Sequence, residues 1–250
     1  YQMTSMLIKA KVDFNALCDQ VLPGMQELMS DHAGRHKLSD FVLQYCHTTH
    51  ILEMGETRFR KDYCKWAEKK GYRNRERMAA HIFATAQNGI PVLPDAPSTQ
   101  IVITEAIRVL HTVEASRDAI LTQMQALAKT LPEYSLVREM PCIGDTLAPR
   151  LIAEIGDVRR FHSKRALIAY AGIDAPPYQS GKFCANNRHI SKRGNRYLRK
   201  TGDEVMQSYV MHKPANDPIF MFIEKKRSEG KCGKLAMVAG LNKFLRVYYG

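Results

Sequence analysis

The 250-residue chain contains six cysteines but no C-x-x-C pair, since Cys18, Cys46, Cys64, Cys142, Cys184 and Cys232 lie far apart. That spacing excludes the usual cysteine-based metal sites. At this length it also argues against a disulfide scaffold, so reduced thiols in a cytosolic protein fit best. No apolar run has membrane length. No carboxylate pair is spaced to build a two-metal centre: Glu154 and Asp157 flank a helix end, and Asp203 and Glu204 are neighbours that diverge around a helix. The most informative absence is of negative charge. Between Asp174 and Asp203 there is no acidic residue, while Lys182, Arg188, Lys192, Arg193, Arg196, Arg199 and Lys200 all fall in that stretch.

What is present points the same way. The net charge is +12, and the hydrophobic fraction of 45% is ordinary for a soluble globular protein. A cationic surplus without a lipid anchor favours nucleic acid over a membrane surface as partner. Within the acid-free stretch lies the polar turn Tyr178-Gln179-Ser180-Gly181. A serine among cations suits phosphate chemistry, because the cations hold a phosphodiester that the hydroxyl faces. It equally suits a basic patch that grips nucleic acid with Ser180 as a loop residue. As a nucleophile Ser180 needs activation. Lys182 and Arg188 are candidate stabilisers of phosphoryl charge, His162 and His189 are nearby bases, and Cys184 is either a rival nucleophile or a packing residue. The run from His189 to Lys200 reads as a basic loop entering a helix, with Lys192, Arg193, Asn195, Arg196, Arg199 and Lys200 as candidate phosphate contacts.

The pattern along the chain is mainly α. Met3, Leu7, Ala10, Phe14, Leu17 and Val21 step by four and three until Pro23-Gly24. Ile103, Ala106, Leu110, Val113, Arg117, Ile120, Met124, Leu127 and Leu131 repeat that stepping along a helix roughly 45 Å long. These seams predict coiled-coil helices at 1–30 and 99–135, pairing either between chains or within one. Residues 31–98 read as a small helical insert, with helices at 57–70 and 73–87, a proline-rich linker at 90–98 and a cap for the long helix at Ser98 or Thr99. Residues 136–250 form a compact helical domain. In it Ser163 and Asp217-Pro218 start helices, and a short hairpin or extended loop is expected only at 173–190. The chain opens at Tyr1 inside a periodic pattern, which predicts a piece of a longer protein. Pro141-Cys142-Ile143-Gly144 before a helix resembles a helix-hairpin-helix, whose turn offers N–H groups to a phosphate, here at Ile143, Gly144 and Thr146. Cys142 replaces the usual turn glycine, which is expected to weaken a left-handed conformation there.

These segments resemble a known family. The matching stretches are L-C-D-Q-V-L-P-G from Leu17, M-P-C-I-G-D-T-L-A-P-R-L-I-A-E-I-G-D-V-R-R-F from Met140, and L-I-A-Y-A-G-I-D-A from Leu167. The most specific are Y-Q-S-G-K-F from Tyr178 and I-S-K-R-G-N-R-Y-L-R-K from Ile190, and K-L-A-M-V-A-G-L-N-K-F-L-R-V-Y-Y closes the list. Together they are similar to bacterial insertion-sequence transposases that join a nuclease-like domain to a catalytic serine, the bridge-RNA-guided recombinases. The resemblance implies that Ser180, the serine of the Q-S-G motif, attacks a phosphodiester and forms a covalent DNA–protein intermediate. It implies DNA and a structured guide RNA as partners, homo-oligomers assembled through the coiled coils, and a bacterial cytoplasmic, nucleoid-associated location. It also implies an N-terminal domain with four acidic metal ligands. That domain is not in this sequence, so no cofactor is expected in this chain and Mg2+ is expected at the N-terminal domain. The rival from another class is a non-catalytic nucleic-acid-binding scaffold built on the same hairpin and basic loop.

Overall fold

A computed structural model describes residues 1–29, 36–73, 75–176 and 189–250, together with the backbone of strand residues 179–180 and 183–184. The fold is mainly α. It divides into two compact units, Tyr1–Asp118 and Ala119–Gly250.

The first unit holds α1 (Gln2–Val21), α2 (Met25–Met29), α3 (Lys37–Tyr45), α4 (Thr48–Met54), α5 (Glu56–Lys69), α6 (Arg75–Asn88) and the first part of α7 (Pro97–Lys129). The two expected insert helices are α5 and α6, displaced by one or two residues at their ends. The long helix begins at Pro97, so Ser98 and Thr99 lie in its first turn and do not cap it. Proline suits that position, because its missing N–H has no helical partner there anyway. The linker before it is pinned: Val92 and Leu93 both donate backbone N–H bonds to the Gln20 carbonyl, at 2.8 and 3.1 Å.

The core of this unit decides how the heptad seams are used. Leu7, Phe14 and Val21 from α1 and Ile103, Ile107 and Leu110 from α7 are buried in one cluster with Phe41, Phe59, Tyr63 and Ile82. The α1 seam and the N-terminal half of the α7 seam are therefore covered within the chain. The C-terminal half is not: Ile120 and Leu127 remain 49% and 69% exposed. Arg117, the polar break in the seam, pairs with its neighbour Asp118 at 2.6 Å.

The second unit holds α8 (Glu133–Glu139), α9 (Leu147–Ile155), a 3-10 turn (Val158–Arg160), α10 (Lys164–Ala171), strands β1 (Gln179–Ser180) and β2 (Phe183–Cys184), α11 (Arg196–His212), α12 (Pro218–Ser228) and α13 (Gly233–Tyr249). The boundaries follow local chemistry. Ser163 Oγ accepts the Ala166 N–H at 3.2 Å, and Gly172 ends α10 in the left-handed conformation. Asp217 accepts the Ile219 and Phe220 N–H groups at 2.8 Å each. Leu151, Ile155, Leu167, Val205, Tyr209 and Phe244 form the centre of the core. Two glycines let α13 approach closely: a Cβ on Gly202 would lie 2.6 Å from Leu241, and one on Gly240 would lie 2.5 Å from Ile223.

Tyr209 is fully buried in this core, and its hydroxyl has no hydrogen-bond partner among the described residues. Burial, then the nearby Asp217 charge, pushes the phenol far above its ordinary range. Deleting an unsatisfied buried hydroxyl removes a desolvation penalty. Tyr209→Phe should therefore leave stability unchanged or raise it by up to about 1 kcal/mol, read from urea unfolding. A loss of that size would mean the hydroxyl has a partner.

Candidate nucleic-acid interface and nucleophile

The site grows from the end of α10. Gly172, at φ +65°, turns the chain out of the helix, and residues 172–174 are met by the returning segment 191–195. Ser191 donates its N–H to the Asp174 carbonyl at 2.8 Å, Lys192 to Gly172 at 3.0 Å and Asn195 to Tyr170 at 2.6 Å. The Ser191 hydroxyl adds a 2.5 Å bond to the Asp174 carboxylate. Close approach requires two glycines here. A Cβ on Gly172 would fall 2.6 Å from the Gly194 nitrogen, and one on Gly194 would overlap the Tyr170 carbonyl oxygen.

Beyond this closed base, β1 and β2 pair antiparallel, with Gln179 opposite Cys184 and Ser180 opposite Phe183. Of the short hairpin or extended loop expected at 173–190, the structure has the former, with two residues paired on each side. Ser180 is the last paired residue of β1 before the chain returns in β2. Its side chain and that of Cys184 lie outside the described residues, as do Lys182 and Arg188. His162 and His189 are both exposed.

The basic loop separates into two kinds of residue. Lys192, Arg193, Arg196 and Lys200 are exposed. Arg196 lies 4.7 Å from the Tyr197 ring centroid and donates to its hydroxyl at 2.6 Å, which raises its already high pKa. Asn195 and Arg199 face inward. Asn195 caps α11 by accepting the Tyr197 and Leu198 N–H groups at 2.8 and 3.1 Å. Its amide also donates to Glu154 at 2.8 Å and to the Tyr170 hydroxyl at 3.2 Å. Arg199 donates to the carbonyls of Ala171 and Gly194 at 3.0 and 3.1 Å. Both hold the loop against α10.

The helix-hairpin-helix-like turn lies between α8 and α9. Cys142 adopts φ +62°, so the left-handed conformation survives without glycine. That strain costs on the order of 1 kcal/mol. The turn is held: Ser208 Oγ donates to the Cys142 carbonyl at 3.0 Å, and Arg138 donates to the Ile143 carbonyl. Gly144 supplies the carbonyl that receives the Leu147 and Ala148 N–H groups, and Thr146 precedes α9 without a side-chain cap. Asp145 occupies the same turn. Its hydrogen bond from Tyr134 and its ion pair with Arg138, at 3.0 and 2.8 Å, hold its pKa below the ordinary carboxylate range. The Ile143 N–H is taken up by the Met140 carbonyl at 3.3 Å, so the expected donor at that position is engaged within the turn, and the Gly144 and Thr146 backbone sits beside a paired acid.

The structure does not bring the turn and the basic loop into one pocket. Glu154 of α9 meets Asn195, whereas the Cys142 carbonyl meets Ser208. They flank opposite ends of α11, roughly 20 Å apart at the helical rise. A residue that sequence reasoning missed lies by the loop end. The Arg160 guanidinium is 4.7 Å from the ring centroids of both Phe161 and Tyr170, and the Tyr170 hydroxyl reaches Asn195. Only its adjacency to Phe161 was visible in the sequence; the second ring arrives through tertiary packing.

Residues 134–218 match the transposase IS116/IS110/IS902 family. The chain is 22% identical over 222 residues to the insertion element IS110 uncharacterized 43.6 kDa protein of Streptomyces coelicolor, covering 89% of this chain and 53% of that protein. It is 29% identical over 132 residues to the pilin gene-inverting protein of Moraxella bovis, covering 51% of this chain and 40% of that protein. It is 28% identical over 123 residues to the transposase for insertion sequence element IS1111A of Coxiella burnetii, covering 46% and 32%. The chain thus spans about half the length, or less, of the curated relatives it matches.

Proposed function

We propose, with residues 134–218 as a transposase domain of the IS116/IS110/IS902 family, that this chain is the C-terminal, serine-bearing part of a bridge-RNA-guided DNA transposase. Ser180 is the nucleophile. The observation that carries this reading is its position in a paired strand whose base is closed by Asp174–Ser191 and continues directly into an acid-free run of cations.

In the reaction, the serine oxygen forms a bond to phosphorus as the bond from phosphorus to the leaving strand's oxygen breaks. The hydroxyl proton departs to a base, and the leaving oxygen gains a proton. The phosphoester energy is kept for rejoining. Lys182 and Arg188 are the candidate cations for the phosphoryl charge, while Lys192, Arg193, Arg196 and Lys200 grip the backbone. The turn offers a second grip through Gly144 and Thr146, and its separation of roughly 20 Å corresponds to about six base pairs of duplex.

Among the described residues no three His, Cys, Asp or Glu side chains gather to hold a metal ion. In this reading the magnesium ligands belong to an N-terminal domain outside this chain, so the 250 residues bind nucleic acid but do not recombine DNA alone. No helix of the described residues is long and apolar enough to cross a membrane. Under the proposed reading the chain works on nucleoid DNA in a bacterial cytoplasm. The exposed Ile120 and Leu127 fit a coiled-coil partner from a second copy, and light scattering of the chain should report a dimer mass. A monomer at high concentration sinks that part.

The deciding test is covalent trapping. The chain, joined to the metal-binding domain, is mixed with magnesium, RNA and cleavable DNA and resolved on a denaturing gel. A DNA–protein band lost in Ser180→Ala supports the nucleophile; a band that survives it overturns that assignment. Binding without any band favours the scaffold reading, and strand transfer by the 250 residues alone refutes the need for the second domain.

A further inference from the structure

A groove of about 920 Å³ lies in the second unit, where α12 and α13 meet the base of the Ser180 hairpin. Ile173, Ile190, Leu235 and Val238 form an apolar floor, and Leu235 is 58% exposed. Lys231, Lys243 and Arg246 edge it, and no acidic side chain is among its described lining residues. The volume lies within the range of about 300–1,000 Å³ typical of small-ligand sites.

The way its cations are held separates this groove from a solvated charged surface. Lys243 donates to the Pro218 carbonyl at 2.8 Å and stands 5.0 Å from the Phe222 ring centroid. Arg246 donates to the Asn242 side-chain oxygen at 2.9 Å. Each partner is neutral, so it fixes the cation's direction without cancelling its charge. On α12, by contrast, two cations are paired with acids: Arg227 with Glu224 at 2.9 Å, and Lys226 with Glu229 at 2.6 Å. Two aimed charges with no acidic partner among the described residues, beside an open apolar floor, call for an anion that carries an apolar face. Duplex nucleic acid does not supply this, because its base faces are stacked inside and what it exposes is phosphate, sugar and base edges. An unpaired nucleotide does, with its phosphate on the cations and its base on the floor.

We propose that this groove binds an unpaired nucleotide of the nucleic acid, next to the hairpin that carries Ser180. The proposal rests on the nucleic-acid reading above but needs neither the serine chemistry nor the metal domain.

Binding by the 250-residue chain is measured by fluorescence anisotropy with oligothymidylate, oligouridylate, an abasic strand and a duplex. The wild type should bind the base-bearing strands about tenfold more tightly than the abasic one. Leu235→Asp and Arg246→Gln, both surface changes checked for wild-type melting, should each lower single-strand affinity about tenfold and duplex affinity less than about twofold. The thymidylate and uridylate arms tell whether DNA or RNA is the source of the nucleotide. Equal losses for single strand and duplex would reduce the groove to a diffuse positive surface and overturn the proposal. Unchanged single-strand binding in both variants overturns it too, and leaves an acidic amphipathic helix as the occupant. In either case duplex binding by the wild type would leave the transposase reading standing, whereas a wild type that binds no nucleic acid ends both.

Discussion

Ser180→Ala is expected to abolish the covalent DNA–protein adduct, a loss on the order of a thousandfold or more, while nucleic-acid affinity stays within about twofold. The size of the effect follows from the chemistry. Alanine offers no lone pair to phosphorus, so the intermediate cannot form at this position. In the proposed reading affinity depends on different groups, Lys192, Arg193, Arg196 and Lys200, all of which are exposed. Phosphate gripping by such cations is additive and screened by salt, and losing a neutral hydroxyl barely alters it. The control is Cys184→Ala, since Cys184 stands in the other registered pair of the same hairpin. That substitution should keep the adduct. If Ser180→Ala keeps it and Cys184→Ala loses it, the nucleophile is the thiol. Equal loss of binding and adduct in Ser180→Ala would instead mark a structural role for the hydroxyl.

Gly194→Ala should lower stability by about 2–4 kcal/mol, equivalent to roughly 5–15 °C in Tm for a chain of this size. The added methyl would overlap the Tyr170 carbonyl oxygen and press on the Gly172 backbone nitrogen at 2.6 Å. Both obstacles are backbone, which cannot rotate aside as a side chain would. Nor can the loop easily withdraw. Lys192 and Asn195 donate to Gly172 and Tyr170 on either side, and Arg199 clamps the carbonyls of Ala171 and Gly194. Retreat would break several of these bonds together. The comparison is Gly233→Ala, where an added Cβ meets nothing within 4 Å; it should melt like the wild type. Wild-type melting of Gly194→Ala would mean that α10 and the loop do not approach as closely as described. Because this clamp closes the base of the Ser180 hairpin, the alanine variant should also lose adduct formation at temperatures where it remains folded.

Much of the architecture was legible in the sequence because the signals are local. Side-chain caps at Ser163 and Asp217, the left-handed Gly172 and the proline at the start of α12 act within a few residues, and the structure uses each of them. The acid-free stretch and the short hairpin within it were visible for the same reason. Other properties arise only when distant segments meet. Seven-residue periodicity records that one helix face is apolar but not what covers it. Packing covers the first half of the α7 seam within the chain and leaves Ile120 and Leu127 exposed. Position within the basic run made Asn195 and Arg199 resemble Lys192 and Arg193. Tertiary partners turn the first two inward, because buried carbonyls and Glu154 need donors there. The left-handed Cys142 is tolerated because Ser208, 66 residues away, holds its carbonyl. The sequence by itself determined the helices, their ends and where positive charge accumulates, since these follow from short-range chemistry. Only the tertiary structure decided which cations stay exposed, how the hairpin base is closed, and that a charged apolar groove opens beside it, because burial and hydrogen-bond satisfaction are set by residues far apart in the chain.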